Sequence, residues 1–290
     1  MKKFILIAFA MLLAGVAAAQ EIPDTTYWKE KGVAGINLAQ TSLSYWAAGG
    51  ERSFAADAMF NFNLDYKRDR NFWQNRLELA YGINNSETKG RRKTSDKIYL
   101  NSIYGYRIVK HWYLAAFVNF QTQFSKGSDY TIKEKNYISK FMAPGYLSAG
   151  PGIAWIPQIW FSVTLSPVTW RGTFVLDENL SAGGAYGVKP GKRLLSECGA
   201  GLRIEFQRDI MTNMNLYSRM EFFSDYSHKP QNVDMYWDIQ LNMKINRLFA
   251  ANLSINLAYD DDVKFIMEDG REKTHLQFKE TLGVGLQYNF

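Results

Sequence analysis

The sequence holds a single cysteine, Cys198, so no internal disulfide can form and the fold must be held without covalent staples. After the run Phe4 to Val16 it has no apolar stretch approaching the roughly 18 residues that a membrane-spanning helix needs, so any membrane crossing has to be made by strands. It lacks a block of charge of one sign. The formal net charge of +6 is spread along the chain, which gives no case for a nucleic-acid partner. Phosphate-cradling loops are also missing: Gly49-Gly50 and Gly183-Gly184 precede no helix able to supply the cluster of backbone amides that such a loop uses.

What is there begins with Lys2 and Lys3, the apolar run, and the small residues Ala17-Ala18-Ala19 before Gln20. That layout predicts a secretory signal peptide over residues 1–19, removed on export. No cysteine lies near the cleavage point, so the signal is not of the lipoprotein type. Residues 20–32 then form an N-terminal periplasmic segment, and 33–290 a single β-barrel domain.

The barrel is read from alternation. Leu282, Val284, Leu286, Tyr288 and Phe290 fall on one face of an extended strand; Thr281, Gly283, Gly285, Gln287 and Asn289 fall on the other. From Phe54 to Tyr66 aromatic and apolar residues alternate with Asp57, Asn61, Asn63 and Asp65. Carboxylates inward and aromatics outward invert the rule for soluble proteins. The pattern predicts an all-β, up-and-down antiparallel transmembrane β-barrel of about twelve strands, with ten or fourteen as alternatives. The strands run Val33–Tyr45, Phe54–Lys67, Phe72–Asn84, Lys97–Val109, Trp112–Ser125 and Ala143–Ile156, then Ile159–Leu176, Leu194–Gln207, Asn213–Tyr226, Val233–Ile245, Leu248–Asp260 and Thr274–Phe290. Pro144, Pro151, Pro157 and Pro167 cannot donate to a ladder and mark bends or strand ends. Short reversals alternate with longer polar connections, and a strand ending on Phe290 puts every short reversal on the periplasmic side. Tyr66, Trp73, Trp112, Trp160, Phe206, Phe249 and Tyr288 then gather at that end, and Phe54, Tyr81, Phe124, Tyr226 and Tyr259 at the other, as two interfacial belts.

Several stretches resemble a Bacteroidota family of outer-membrane proteins known as domain of unknown function 3078. They are Gln40 to Gly50, with Trp46-Ala47-Ala48-Gly49-Gly50 the most specific part, Thr122-Gln123-Phe124, Ser166-Pro167, Tyr186 to Gly191, Pro230 to Asp234, Asp260-Asp261-Asp262 and the run from Phe278 to Phe290. The resemblance implies a Gram-negative outer-membrane location and a barrel fold. It carries no catalytic residues and no cofactor.

By alternation the lumen should carry Asp57, Asp65, Arg76, Glu78, Lys97, Arg107, Glu197, Arg203, Glu205, Arg219, Glu221, Asp225, Asp234, Asp238 and Lys244. Both signs are present, and buried unpaired charges are costly, so a plugged or tightly constricted lumen is expected, with a selective pore as the alternative. A second cluster lies at the outer rim. Asp225, His228, Asp260, Asp261, Asp262 and His275 would share one corner if their hairpins are neighbours, enough for a hard cation or a hydrolytic site. A solvated acidic loop is the bland alternative. A barrel phospholipase finds no support, because none of the three histidines faces lipid beside a serine. The basic run Lys89 to Lys93 suits lipopolysaccharide phosphates or a hydrated loop. Expected partners are outer-membrane lipid, the barrel assembly machinery through the C-terminal strand, and a membrane-protein complex; the expected role is an envelope or assembly component rather than an enzyme.

Overall fold

The structure, a computed structural model, describes residues 27–42, 51–128, 130, 137–227, 230–260, 264–266 and 271–290. The signal peptide, the start of the N-terminal segment and Trp46 to Gly50 lie outside the described residues. Twelve strands close into one antiparallel barrel. They are β1 (Trp28–Thr41), β2 (Ser53–Arg68), β3 (Asn71–Ser86), β4 (Gly90–Val109), β5 (Trp112–Thr122), β6 (Gly145–Gln158), β7 (Phe161–Phe174), β8 (Leu194–Met211), β9 (Met214–Asp225), β10 (Asp234–Lys244), β11 (Phe249–Tyr259) and β12 (Gln277–Asn289). Each pairs with its neighbours in sequence, and β1 pairs with β12 to close the ring. No helix among the described residues is long and apolar enough to cross a membrane, which says nothing of strands.

The alternation decides which face each side chain takes. Leu38, Leu114, Leu165, Leu282 and Leu286 are exposed on the outside, while Glu78, Glu197, Arg219 and Asp238 are buried within. At the turn end the outer aromatics touch around the wall: Trp28 meets Tyr66 and Trp73, and Trp155 bridges Trp112 and Phe161. Three outward tryptophans solve the problem of a polar N–H on an apolar surface in one way. Trp73, Trp170 and Trp237 each donate the indole N–H to a serine on the adjacent strand, Ser102, Ser196 and Ser218, at 2.8–2.9 Å. A satisfied indole no longer needs to reach water.

Among the differences from the expectation, three bear on the lumen and the seam. β1 begins at Trp28, so the polar residues Lys29, Glu30 and Lys31, expected before the barrel, pair with the turn end of β2. The stretch Asn85 to Asp96, expected as a loop, is a tall hairpin: β3 runs to Ser86 and β4 starts at Gly90. Polarity there marks strand beyond an apolar zone as readily as it marks loop. The third difference is in β7. Between Ser166 and Thr169 it has one residue more than β6 and β8 opposite it, a bulge at Pro167. Pro167 has no N–H to lose there, and its carbonyl accepts from the Tyr226 hydroxyl.

Candidate functional site

The lumen is where polar chemistry collects. β3, β4 and β5 on one side face β8, β9 and β10 on the other, and their side chains meet in the middle. Lys97 Nζ on β4 lies 3.4 Å from Asp238 Oδ2 on β10, and Arg219 Nη1 on β9 lies 3.9 Å from Glu78 Oε1 on β3. The Arg76 guanidinium of β3 stacks 3.7 Å over the Tyr217 ring of β9, and that of Arg219 stacks 4.0 Å over Tyr99 of β4. Asn119 of β5 donates to Glu221 of β9 at 3.5 Å, and Arg203 of β8 to the Tyr99 hydroxyl at 3.4 Å. Neighbouring strands supply Arg219 to Asp238 at 3.0 Å and Lys97 to Glu78 at 2.6 Å, and within β8 Arg203 donates to Glu205 at 2.8 Å. Four cations, Arg76, Lys97, Arg203 and Arg219, face four carboxylates, Glu78, Glu205, Glu221 and Asp238, so the clasp is locally neutral. Neutrality with paired geometry is what lets such charges stay buried.

These contacts carry a geometric consequence. Twelve strands about 4.8 Å apart and tilted by about 40° would close a round barrel roughly 24 Å across. An Arg or Lys bonded tip to tip with a carboxylate spans only about 14 Å between Cα atoms, from bonds of about 1.5 Å and a polar contact near 3 Å. The barrel is therefore oval, with its short axis across the clasp.

A second ionic group lies nearer the loop end. Arg171 of β7 forks onto Glu197 with contacts of 2.9 and 2.7 Å, reaches Asp234 at 2.6 Å and stacks 4.0 Å over Phe223. Toward the turn end the lumen turns apolar. Phe72, Ile103, Ala115 and Ala154 pack together there, with Tyr113 and Ile156 against them, and the Phe72 ring occupies the space that a side chain on Gly105 would need.

At the loop end the connection between β5 and β6 packs against the one between β7 and β8. The latter carries a short helix, α1 (Glu178–Ala182), capped by Asp177, whose carboxylate accepts from the Asn179 and Leu180 amides. The same carboxylate takes the Tyr137 hydroxyl and the Lys140 ammonium at 2.9 Å each, while Val175, Val188 and Ala143 are fully buried beneath. Lys140 and these hydrogen bonds hold Asp177 down at about 2, and Asp177 in turn raises Lys140.

The clasp draws Arg76, Glu78, Lys97, Arg203, Glu205, Arg219, Glu221 and Asp238 from the expected inward set. Arg107 sits instead at the turn end, donating to the Asp69 carbonyl at 3.2 Å. Arg171 was absent from that set because the Pro167 bulge switches the inward face of β7 from even to odd numbers. Tyr99 and Tyr217 share the parity of inward charges, so alternation alone would have found them. Of the rim corner, His228, Asp261 and Asp262 lie outside the described residues. Asp225 is buried and accepts from the Ser227 amide at 3.0 Å, Asp260 follows β11, and His275 precedes β12. Among the described residues no three His, Cys, Asp or Glu are grouped to hold a metal ion.

The sequence profile of a family described as a protein of unknown function (DUF3078) matches residues 38–128. No curated protein matches the chain in sequence. Among solved structures it is similar to an outer membrane channel from Pseudomonas putida F1, with 11% identity over 93% of this chain and 99% of that one and a TM-score of 0.37. It is also similar to the translocator domain of the autotransporter NalP from Neisseria meningitidis, with 9% identity over 98% and 96% of the two chains and a TM-score of 0.36. Likeness at this level transfers no activity, and the fold rests on the strand pairing of the chain itself.

Proposed function

We propose that this chain is an integral outer-membrane β-barrel of a Gram-negative envelope, of the Bacteroidota type that its sequence resembles. Its lumen is closed at rest, and it serves as an envelope or assembly-partner component rather than as an enzyme. The observation that carries the closed lumen is the clasp, whose charges join opposite walls instead of lining an open channel. The apolar outer face and the aromatic belt support the membrane setting, because a closed barrel leaves no strand edge unsatisfied in lipid while its lumen can stay polar. Lipid and, through the strand ending on Phe290, the barrel assembly machinery are its partners in this reading.

Recording in planar bilayers tests it. The wild-type protein is expected to show no steady conductance, and the Arg219→Ala, Asp238→Ala double variant to open stepwise events. A small-solute pore is the second reading. It draws on the small inward residues Ala55 and Ser254, on strands that give the clasp none of its charges. Steady wild-type conductance would favour that pore and end the closed-lumen reading. Release by alkaline carbonate without detergent would end the membrane reading altogether.

A further inference from the structure

The ring of strands closes unevenly. β1 and β12 pair from Gly32–Phe290 to Asn37–Gly285 and, among the described residues, no further toward the loop end. Both strands continue past that point toward the loop end. Leu38 to Thr41 remain paired to β2, and Gln277 to Val284 remain paired to β11, yet among the described residues neither stretch pairs across the seam. Asn37 marks where the strands part. Its amide lies flat on the β12 backbone, so close that a side chain on Gly283 would come within 2.5 Å of its Nδ2, and one on Gly285 within 2.4 Å of its Oδ1. Beyond it Leu38 to Thr41 and Gln277 to Leu282 are exposed at every position, and the outward Leu38, Phe278 and Leu282 are each more than 60% exposed.

Among the described residues, the edges Leu38 to Thr41 and Thr281 to Val284 thus face each other without ladder partners across the seam. The nearer part of the span lies within the apolar zone: counted back from Phe290 at the turn-end belt, about ten tilted residues cross the hydrocarbon, which takes in Thr281 to Val284 and leaves Gln277 to Glu280 beyond it. Unpaired backbone groups are poorly tolerated in lipid, and only another backbone supplies donors and acceptors at ladder spacing.

We propose that the loop-end half of the β1–β12 seam is a lateral docking edge that takes one β-strand from another polypeptide. β12 is the principal acceptor, because its ladder to β11 holds eight residues of that edge in place, Gln277 to Val284, against four of β1 held on β2. The neighbouring faces set the chemistry of the guest. Phe278, Leu282 and Val284 call for apolar residues on its outward side, and Gly283, Thr281 and Asn37 for small or polar residues on its lumen side. An alternating apolar and small-polar segment, antiparallel to β12, fits both. The membrane part of this inference rests on the proposed outer-membrane setting.

The test uses the full chain with Cys198→Ala. A cysteine pair at Ala34 and Tyr288 lies in the paired half and should oxidise to a disulfide readily, which also reports that the barrel has folded. A pair at Gln40 and Leu282 faces in the same register only if the seam zips shut, and should oxidise at least tenfold more slowly. A photo-reactive benzophenone side chain at Leu282 should then capture a synthetic peptide of sequence Val33 to Thr41, saturably. The same group at Leu241, paired on both sides, should not capture it, nor should Leu282 capture a scrambled peptide. Equal oxidation of the two cysteine pairs would overturn the proposal by showing a closed seam. So would capture of native and scrambled peptides alike, or crosslinks from Leu282 only to lipid. The cysteine comparison reads the seam in detergent as well as in membranes, so carbonate-released protein with an open seam would remove the membrane reading and leave the open edge standing.

Discussion

Asp238 gathers four donors on one buried carboxylate: Arg219 at 3.0 Å, Lys97 and Gln240 at 3.4 and 3.3 Å, and Asn256 at 2.9 Å. Asp238→Ala would take from Arg219 its closest carboxylate and from Lys97 its second, and breaking a buried pair from one side costs about 3–5 kcal/mol. The midpoint of guanidinium unfolding in lipid should fall accordingly, and less for Asp238→Asn, which keeps an acceptor. An unchanged midpoint for the alanine variant would mean that water fills the lumen around these groups. Asp177 makes a prediction of the other kind. Its folded carboxyl titrates at about 2, below the ordinary value near 4, so its contribution to docking the two loop-end connections is complete above pH 4 and is lost as pH falls through about 2. Lys140→Met removes the first cause of that depression, and amide exchange of Asn179 and Leu180 should then accelerate nearer pH 4. A midpoint left unmoved would assign the depression to the helix amides instead. At this scale the sequence was legible where parity was regular. Glu78, Arg219 and Asp238 were recognisable as inward from alternation alone, but their partners across the lumen were not, because pairing between strands six apart in the ring is a property of the closed shape.

Among the elements, β7 shows why some of the site was hidden. Counting by twos from Phe161 puts Thr164 and Ser166 inside but Arg171 outside, yet Arg171 holds Glu197 and Asp234 in the lumen. The extra residue at Pro167 accounts for the whole discrepancy, and proline there was legible as a bend without revealing that it shifts parity. Deleting Pro167 should therefore be tolerated. Val168 would follow Ser166 directly, strict alternation would return, and Thr169, Trp170 and Arg171 would keep their faces. The expected loss is about 1–2 kcal/mol, chiefly the Tyr226 hydrogen bond. Inserting one alanine after Val163 should instead invert half of the strand and abolish folding. Heat-modifiable migration on gels would separate the two; a deletion as damaging as the insertion would show that the bulge is required rather than accommodated. β12 was the easiest element to read, since its apolar residues and Phe290 lie on one face. Its incomplete pairing with β1 was invisible, because alternation reports faces and not ladder partners.

At the scale of the whole molecule, strand number, strand order and the placing of short turns at one end followed from alternation and from the rhythm of short and long connections, because both are local. Cross-section did not, since it depends on which side chains meet after closure. Opposed strands β3 and β9 are drawn together by the clasp, whereas β6 and β12, a quarter of the ring away, carry no contact across the lumen among the bonds and ion pairs described here. With the circumference fixed by strand number and tilt, shortening one axis to about 14 Å must lengthen the other to roughly 30 Å. Spin labels on outward positions leave the lumen untouched and can measure both. Labels at Leu77 and Met220 should report the short axis, and labels at Ala149 and Leu286 one longer by roughly 10 Å or more, on the same geometric estimate. In the Glu78→Ser, Arg219→Ser, Asp238→Ser triple variant the two distances should converge, as a barrel freed of its clasp relaxes toward the round form that its strand number favours. If the wild-type distances are already equal, the walls do not meet and the lumen is open. If they differ and stay different in the triple variant, the strand tilt itself sets the oval, and the charged clasp fills a shape that it did not create.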